Sequence, residues 1–304
     1  MAEPLDEAAS GGILRKPAWL KVRLAGGEVS AHVAQTLHRH GLKTVCDEAR
    51  CPNKGECWGQ ATATFMVMGA VCTRGCRFCA VATAREGEAL DPGEPGRLAS
   101  AIVELGLRYA VITCVDRDDL SDRGAAHFAA CVRAIRERDP GIGIEILAPD
   151  YQAGEIEVLL ESGPDVFAHN IETVERLQSV RDGRASYAKS LSTLALASAW
   201  ALARGAKLRT KSSILLGIGE RRDELLVALD DLRRVNTDIL VLGQYLRPTP
   251  RQIPVVEYVT PEEFTRLEAV ARGKGFAAVI SSPLARTSYH ARASAEGLSG
   301  ASGV

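Results

Sequence analysis

Cys72, Cys76 and Cys79 lie within eight residues of one another and are separated by three and two residues. Thiolates at this spacing can converge on one small inorganic centre, and iron–sulfur clusters are held in this way. Three thiolates on a cluster of four irons leave one iron open, and an open position is typical of a reactive metal site. Phe78 offers a flat apolar face beside the last thiol. The pattern predicts a reactive iron–sulfur centre, with a zinc or redox site as the alternative.

A second group of three cysteines comes earlier in the chain. Cys46, Cys51 and Cys57 are separated by four and five residues, in a loop that contains proline, asparagine and glycine. These residues favour turns, so the loop can wrap its thiols around a second cluster. A zinc site is again the alternative, although zinc usually takes a fourth Cys or His ligand. We therefore expect two separate metal centres.

Composition and charge restrict the class of protein. The chain is 46% hydrophobic and 25% charged, which is typical of a soluble globular protein, and its net charge of −1 favours no polyanionic partner. No apolar run is long enough to span a bilayer, and the acidic, small-residue N-terminus has no secretory pattern. Eight cysteines would indicate disulfides only in a secreted protein. We expect a cytoplasmic protein with reduced thiols, and neither nucleic acid nor membrane as a partner.

Strands and helices alternate from Phe65 onward, as periodicity and turn residues predict. The predicted strands are Phe65–Val71, Tyr109–Cys114, Ile142–Leu147, Asp165–Ala168, Leu208–Leu216, Ile239–Gln244 and Phe276–Ser281. The predicted helices are Val33–Arg39, Arg97–Leu107, Gly124–Arg138, Gly154–Ser162, Val174–Val180, Ser190–Arg204, Arg221–Val235 and Glu262–Lys274. Six strand–helix units in series indicate a parallel sheet that curls into an open barrel with its helices outside.

The chain divides into four parts on this interpretation. Residues 1–13 are expected to be disordered, residues 14–60 form an N-terminal extension with the second cysteine group, and residues 61–282 form the partial barrel. Residues 283–304 form a C-terminal extension that ends in a flexible tail. Ligands of such sheets bind at the carboxyl ends of the strands. Polar residues indeed follow the predicted strands, as in Thr113–Asp119 and His169–Glu172. We expect the functional site at this edge.

The segment Cys-x3-Cys-x-aromatic-Cys after a strand resembles the signature loop of the radical S-adenosylmethionine (SAM) superfamily. That resemblance implies a (β/α)6 TIM-like barrel in which the open iron binds SAM and one electron releases a 5′-deoxyadenosyl radical. Further motifs resemble one family within it, the lipoyl synthases: CPN and ECW in the second cysteine loop, VDRDDL at 115–120, HNIETV at 169–174, TKS at 210–212, GQYLRPT at 243–249 and RTSYHA at 286–291. The resemblance covers residues 14 to 291.

The resemblance to lipoyl synthases implies a reaction and its cofactors. Two sulfur atoms would be inserted at carbons 6 and 8 of a protein-bound octanoyl-lysine, with SAM and two [4Fe–4S] clusters. Cys72, Cys76 and Cys79 would hold the SAM-cleaving cluster. Cys46, Cys51, Cys57 and Ser288 would hold an auxiliary cluster that is consumed as the sulfur donor. A serine oxygen is a hard ligand among soft thiolates, so its bond to iron can break as sulfide leaves.

The superfamily pattern also implies the residues that contact SAM. Asn170 and Glu172 would bind the ribose, and Phe78 and Leu246 would pack against the adenine. Further candidates for the amino acid part are Thr113, Asp116, Arg181 and Lys211, of which the last two are equally compatible with ion pairs in the core. His169 and Tyr245 could line the cavity but are more typical of satisfied core groups, and Cys131 of buried packing.

Three residues depart from the family pattern. Thr287 replaces a serine before the ligand position, Cys114 replaces a serine before VDRDD, and Ser213 replaces a glycine. None of these changes removes a cluster ligand, and Cys114 is interpreted as a small apolar substitute. Substrate preference is the property that they could alter.

The resemblance implies three kinds of partner. They are an octanoylated carrier (the acyltransferase component of a 2-oxoacid dehydrogenase, or the H protein of glycine cleavage), a ferredoxin- or flavodoxin-type reductant, and an iron–sulfur cluster carrier. Alternative functions remain at this stage: another radical SAM enzyme with an auxiliary cluster, a non-catalytic iron–sulfur carrier, or a zinc protein.

Overall fold

The fold was determined from a computed structural model, which describes residues 14–21, 27–59, 63–288 and 291–292. The predictions of a disordered N-terminus and a flexible C-terminal tail lie outside the described residues. The strands are β1 Lys43–Thr44, β2 Thr64–Val67, β3 Val71–Cys72, β4 Ala82–Thr83, β5 Tyr109–Cys114, β6 Gly143–Leu147, β7 Val166–Ala168, β8 Arg209–Leu216, β9 Ile239–Gln244 and β10 Ala278–Ser282. The helices are α1 Glu28–Arg39, α2 Val45–Glu48, α3 Lys54–Gly59, α4 Glu94–Glu104, α5 Ala125–Arg138, α6 Ala153–Leu160, α7 Tyr187–Arg204, α8 Arg222–Arg234 and α9 Pro261–Gly273.

Eight strands form one sheet in the order β1-β2-β5-β6-β7-β8-β9-β10. All neighbours are parallel except β1, which pairs antiparallel with β2 at one edge. Helices connect the consecutive parallel strands. Since β10 is the other edge, the described sheet is an open barrel, as predicted. The N-terminal extension therefore contributes an edge strand of its own to this sheet, which sequence reasoning did not predict.

The central strands are buried on both faces, as parallel sheets require. All six residues of β9 are buried, and so are four of the six in β5. Large apolar side chains such as Phe167 and Ile144 fill the interior, and α5, α8 and α9 turn their apolar faces toward the sheet. No described helix combines the length and apolarity that a membrane-spanning helix needs.

Two predicted elements differ from the structure in kind, and a third, α1, begins at Glu28 and not at the predicted Val33. The apolar run Phe65–Val71 is not one strand, because Met68 and Gly69 adopt positive φ angles of 68° and 87° and turn the chain between β2 and β3. The predicted helix Val174–Val180 is a 3₁₀ helix over Glu175–Val180. The short elements β1, α2 and α3 were not predicted, because two to six residues carry too little periodicity to recognise.

Candidate metal and cofactor site

The loop of Cys72, Cys76 and Cys79 leaves the sheet at the carboxyl end of β2. Strands β3 and β4 form a two-stranded parallel ribbon at its base, and the Ala84 amide donates to the Cys72 carbonyl at 3.1 Å. The turn at Met68 is held by the Glu94 carboxylate, which accepts from the Met68 amide at 3.0 Å. The loop is therefore fixed to the barrel at its base.

A buried arginine inside this loop binds the ends of two neighbouring strands. The Arg74 side chain is 3% exposed, and its Nε and Nη2 atoms donate to Asp118 at 2.9 and 2.8 Å. Its Nη1 atom lies 2.9 Å from Asp150 and 3.3 Å from Asp116. Because Asp116 and Asp118 follow β5 and Asp150 follows β6, the arginine joins the cysteine loop to both strands.

A first cavity of about 280 Å³ lies beneath the cysteine loop. The three thiols of the loop face it together with most of the predicted SAM contacts. The predicted residues that line it are Cys72, Cys76, Cys79, Phe78, Thr113, Asp116, Asn170, Glu172 and Arg181. These side chains come from the ends of β2, β5 and β7 and from the segment after the 3₁₀ helix. The structure thus brings the predicted residues together at the edge where parallel sheets bind ligands.

The second cysteine group is positioned by a helix cap and by a long-range hydrogen bond. The Thr44 hydroxyl accepts from the Asp47 amide at 3.2 Å and begins α2, which carries Cys46. Asn53 is buried after Cys51 and donates to the carbonyl of Leu284 at 2.7 Å. This bond ties the second cysteine loop to the C-terminal segment that precedes Ser288.

A glycine in β9 lets that C-terminal segment approach the sheet. A Cβ atom at Gly243 would lie 2.2 Å from the carbonyl oxygen of Ala285, so a larger residue would push the segment away. The neighbouring amide of Gln244 donates to the Pro283 carbonyl at 3.3 Å. Residues 285–288 consequently enter the same edge of the barrel as the cysteine loops.

A second cavity of about 320 Å³ adjoins the first. It is lined by Cys46, Cys51, Ser288 and Leu246, whereas Cys57 is not among its lining residues. The two cavities share eight residues: Val45, Ala49, Phe78, Cys79, Thr113, Leu147, Asn170 and Glu172. The first set of predicted ligands and three of the four in the second set therefore line two cavities that share part of their walls. The motif residues Tyr289 and His290 lie outside the described residues.

Burial favours the neutral form of the thiols. It raises the pKa of Cys72, Cys76 and Cys57 to about 12 and also raises the pKa of Cys46 and Cys79. A thiolate is the form that binds metal, so a bound metal ion would have to stabilise the deprotonated thiols that burial disfavours. Such sites bind metal with release of protons.

The carboxylates of the first cavity are also perturbed. Burial raises the pKa of Asp116, although Arg74 opposes this effect, and burial raises the pKa of Glu172, which Arg181 opposes. Glu172 has a φ of 65°, an uncommon conformation for a residue other than glycine, and its backbone bridges to Ile214 on β8. Strain of this kind clusters at functional sites. Asn170 Nδ2 donates to Glu172 Oε1 at 3.1 Å, which places the side-chain amide of Asn170 beside the carboxyl group of Glu172.

The spacing of the thiols discriminates between one metal ion and a cluster. Tetrahedral zinc with Zn–S bonds of about 2.3 Å holds its sulfurs about 3.8 Å apart. Among the described residues only Glu94, His127 and Cys131 bring three such donor atoms within 4.8 Å of one another. Neither predicted cysteine triad does so. The described thiols are therefore not gathered around a single tetrahedral ion, whereas thiolates that bind different irons of one [4Fe–4S] cluster need not lie so close together.

Two predicted residues are not available to a ligand. Lys211 is completely buried, and its ammonium binds both oxygens of Glu145 at 2.8 and 3.0 Å, outside the lining of either cavity. The proposed SAM contact through Lys211 is therefore corrected to an ion pair in the core. His169 lines the first cavity, but both ring nitrogens are hydrogen-bonded, to the Ala148 carbonyl and the Ser190 hydroxyl, each at 2.9 Å.

The remaining sequence candidates have ordinary partners. The Tyr245 hydroxyl donates to the Ile253 carbonyl at 2.8 Å at the side of the second cavity. Of the three departures, Cys114 lines the first cavity, Ser213 lines the second, and Thr287 accepts from Asn170 Nδ2 at 3.1 Å. Cys131 is fully buried in α5, as expected for packing.

Sequence reasoning missed the role of Arg74. The segment VDRDD places three acids within four residues, and a buried site with so much negative charge needs a cation. That acid cluster, combined with an arginine between two ligand cysteines, was the available signal. A second missed contact is Asp182, whose carboxylate accepts from the Gly75 amide at 2.9 Å and so fixes the middle of the cysteine loop.

Comparison with known proteins agrees with this geometry. Residues 66–232 match the radical SAM superfamily. The crystal structure of methylornithine synthase superposes with a TM-score of 0.54 at 14% identity and covers 84% of this chain and 83% of its own. The hydrogenase maturase HydG from Carboxydothermus hydrogenoformans superposes with a TM-score of 0.57 at 14% identity and covers 77% of this chain and 56% of its own. At this identity the two structures establish the fold alone. Fold and sequence match together define a radical SAM protein.

Comparison with curated relatives identifies the family within this superfamily. The lipoyl synthase of Marinobacter nauticus is 52% identical over 280 residues, which are 91% of this chain and 79% of the relative. That of Thermus thermophilus is 48% identical over 296 residues, or 95% of this chain and 87% of the relative. The chain belongs to the lipoyl synthase family. This membership implies SAM and [4Fe–4S] clusters as cofactors.

Proposed function

We propose that this enzyme inserts two sulfur atoms at carbons 6 and 8 of an octanoyl chain that is attached to a lysine of a carrier protein. The observation that carries the proposal is the pair of adjoining cavities with shared walls, one lined by Cys72, Cys76 and Cys79 and the other by Cys46, Cys51 and Ser288. Carbons 6 and 8 have no acidic hydrogen, so acid–base chemistry has no group to act on. Two cofactor sites facing one substrate are what the reaction needs.

Cys72, Cys76 and Cys79 are proposed to hold the SAM-cleaving cluster. When bound, the cluster and SAM would supply the one-electron chemistry that an unactivated C–H bond requires. The chain itself supplies position: Arg74 and Asp182 fix the loop that carries the thiols. With three thiols from this loop, one iron remains open for a chelating ligand.

Cys46, Cys51, Cys57 and Ser288 are proposed to hold the auxiliary cluster. Cys46, Cys51 and Ser288 line the second cavity, and the Asn53 bond to Leu284 draws the cysteine loop and the C-terminal segment together. The Ser288 oxygen is a harder ligand than a thiolate and binds iron less well. This asymmetry supports a cluster that gives up sulfur.

The polar strand ends are proposed to orient SAM. Asn170 and Glu172 lie side by side and can bind the two ribose hydroxyls, while Phe78 and Leu246 offer apolar faces for the adenine. The other side chains of the first cavity that would meet the amino acid part are Thr113, Asp116 and Arg181. The apolar side chains that both cavities share, among them Val45, Phe78 and Leu147, would keep water from the reacting carbon and so protect a reactive radical from side reactions.

The partners follow from the chemistry of the proposed reaction. The substrate would be an octanoylated carrier: either the acyltransferase component of a 2-oxoacid dehydrogenase or the H protein of glycine cleavage. A ferredoxin- or flavodoxin-type protein would supply electrons, and an iron–sulfur carrier would rebuild the auxiliary cluster. We propose the cytoplasm as the compartment of this enzyme, because its eight cysteines are free thiols that suit a reducing environment.

Anaerobic turnover tests the proposed function. The reconstituted protein is incubated with SAM, a reductant and an octanoyl-lysine peptide, and the mass of the peptide is then measured by mass spectrometry. We expect 5′-deoxyadenosine together with a product in which two sulfurs replace two hydrogens. Colourless protein after reconstitution, or an unchanged peptide mass despite SAM cleavage, would contradict the proposal.

A further inference from the structure

Cations surround the second cavity. Its lining contains Lys16, Arg50, Arg247 and Arg286 but a single carboxylate, Glu172. The whole chain has a net charge of −1, so this concentration of positive charge is local. Lys16 and Arg50 are exposed, whereas Arg247 and Arg286 are partly buried. We call the three outer cations, Lys16, Arg50 and Arg247, the basic rim.

The charge of the basic rim is not neutralised within the described part of the chain. None of its three cations has a carboxylate within 4.0 Å there, although exposed arginines elsewhere are paired, for example Arg176 with Glu224 at 2.6 Å. Within the described ranges, Arg247 donates to the carbonyls of Gln252 and Pro250, at 2.7 and 2.5 Å. Carbonyl groups satisfy its hydrogen bonds but leave its net charge in place.

Further positive charge lies next to the rim. Arg77 and Arg251 are both exposed and have no carboxylate partner among the residues with described positions. Their segments are joined to the site, because the Ile253 amide donates to the Arg77 carbonyl at 3.1 Å and Gln252 Nε2 donates to the Cys79 carbonyl at 2.9 Å. The positive surface therefore extends from the cysteine loop to the segment after β9.

We propose that the basic rim docks an acidic face of the carrier protein that presents octanoyl-lysine. This inference rests on the proposed function, since it assumes that the lysine arm enters the second cavity. Complementary charges speed up encounter and fix the orientation of a partner. The rim also discriminates between states of the lysine. Acylation removes the positive charge of the lysine, so the rim repels an unmodified carrier lysine and accepts the octanoylated one.

Charge reversal tests the docking surface. Lys16→Glu and Arg50→Glu, separately and together, are compared with Arg138→Glu and Lys207→Glu. The last two replace exposed cations near the amino ends of the strands, opposite the cavities. The measurement is the Kd of the cluster-loaded enzyme for an octanoylated carrier domain whose acylated lysine is flanked by acids. Each rim variant should weaken binding about tenfold at low salt, and the difference should shrink as salt screens it, while the control variants bind normally.

A matched change on the carrier completes the experiment. When the acids beside its lysine are replaced by amides, wild-type enzyme should bind the carrier as weakly as the rim variants bind the acidic form, and the two changes should not add. Iron content is measured in parallel, because Arg50 precedes Cys51. Lys16 is remote in sequence from every proposed ligand and keeps the test valid if Arg50→Glu loses iron.

Two results would overturn this inference. Equal weakening by rim and control variants would mean a non-specific charge effect, and unchanged Kd in every rim variant would mean that the carrier docks elsewhere. Failure of the proposed function is separate, because it would appear as no sulfur insertion into the short octanoyl-lysine peptide by wild-type enzyme.

Discussion

Arg74 and Asp118 form a partly buried bidentate pair, in which Nε and Nη2 of the arginine donate to the two carboxylate oxygens at 2.9 and 2.8 Å. Arg74 belongs to the cysteine loop, whereas Asp118 follows β5. The pair therefore fixes the position of the proposed cluster ligands relative to the sheet that carries the proposed SAM contacts. Asp150 accepts from the same guanidinium and extends the connection to β6.

Replacement of this arginine should destabilise the fold. In the Arg74→Gln variant, Asp118 loses its bidentate partner but keeps a longer contact with Arg184 at 3.4 Å, and Asp150 keeps Arg123 and Lys189. We therefore expect the loss of hydrogen bonds to charged groups, about 1.5–3 kcal/mol, and not the larger cost of an unpaired buried charge. Urea unfolding of the protein without clusters measures the loss. Arg221→Gln is the control, because its pair with Glu224 is exposed and should cost about 0–1 kcal/mol. Similar losses in the two variants would contradict this role for Arg74.

Cys76→Ala should abolish the formation of 5′-deoxyadenosine. One of the three proposed thiolate ligands is then missing, so the open iron that binds SAM is not assembled. The expected rate falls to the background of the reductant alone, as measured by chromatography of the nucleoside. A variant that cleaves SAM at the normal rate would refute the assignment of Cys76.

Cys51→Ala should separate the functions of the two proposed clusters. We expect SAM cleavage to continue while sulfur insertion into the octanoyl-lysine peptide is lost, because the damage is confined to the sulfur donor. Iron per protein should fall to about half of the wild-type value if one of two equal clusters is lost. Cys131→Ala is the matched control, since Cys131 is a buried packing residue of α5 and should leave both activities intact. Unaltered lipoyl product from Cys51→Ala would rule out its role.

Thr287 should affect the affinity for SAM. Its hydroxyl accepts from Asn170 Nδ2 at 3.1 Å and so holds one of the proposed ribose contacts. Thr287→Val removes this bond and should raise the KM for SAM about 3- to 10-fold, which corresponds to a net hydrogen bond of about 0.5–1.5 kcal/mol. Thr287→Ser keeps the hydroxyl and should behave as wild type. Equal KM values in the two variants would show that the contact is not used.

His169 should make the folded protein sensitive to mild acid. Burial, together with the charge of Arg181, lowers the pKa of His169 from 6.5 to about 4. Below pH 6.5 the unfolded chain takes up a proton at this histidine, whereas the folded chain does so only near pH 4. The contribution of neutral His169 to the free energy of unfolding is therefore complete above pH 6.5. It is lost as the pH falls toward 4, and the total loss is about 3 kcal/mol.

Urea unfolding between pH 7 and 4.5 checks this pH dependence. His169→Gln retains a polar side chain but does not titrate, so its free energy of unfolding should change less over the same range. If the free energy of unfolding fell equally with pH in the wild type and the variant, His169 would not be the group responsible.

Much of the fold followed from local patterns. The predicted strands Tyr109–Cys114 and Ile239–Gln244 have the observed bounds, because a buried parallel strand is a continuous apolar run between turn residues. The break after β2 could not be predicted in the same way. It depends on the positive φ at Met68, which is held by the carboxylate of Glu94, a residue distant in the chain.

The residue types and their spacing determined which chemistry this protein can hold. Two groups of three thiols, each within one loop, are local properties of the chain, and so is the alternation that predicts a parallel barrel. The tertiary structure alone decided which groups share a space. Lys211 and Asp116 looked equally suitable in the sequence, yet Lys211 is neutralised by Glu145 inside the core while Asp116 faces the first cavity. The reason is physical: a buried charge must find a partner, and that partner can come from any strand that folding brings near.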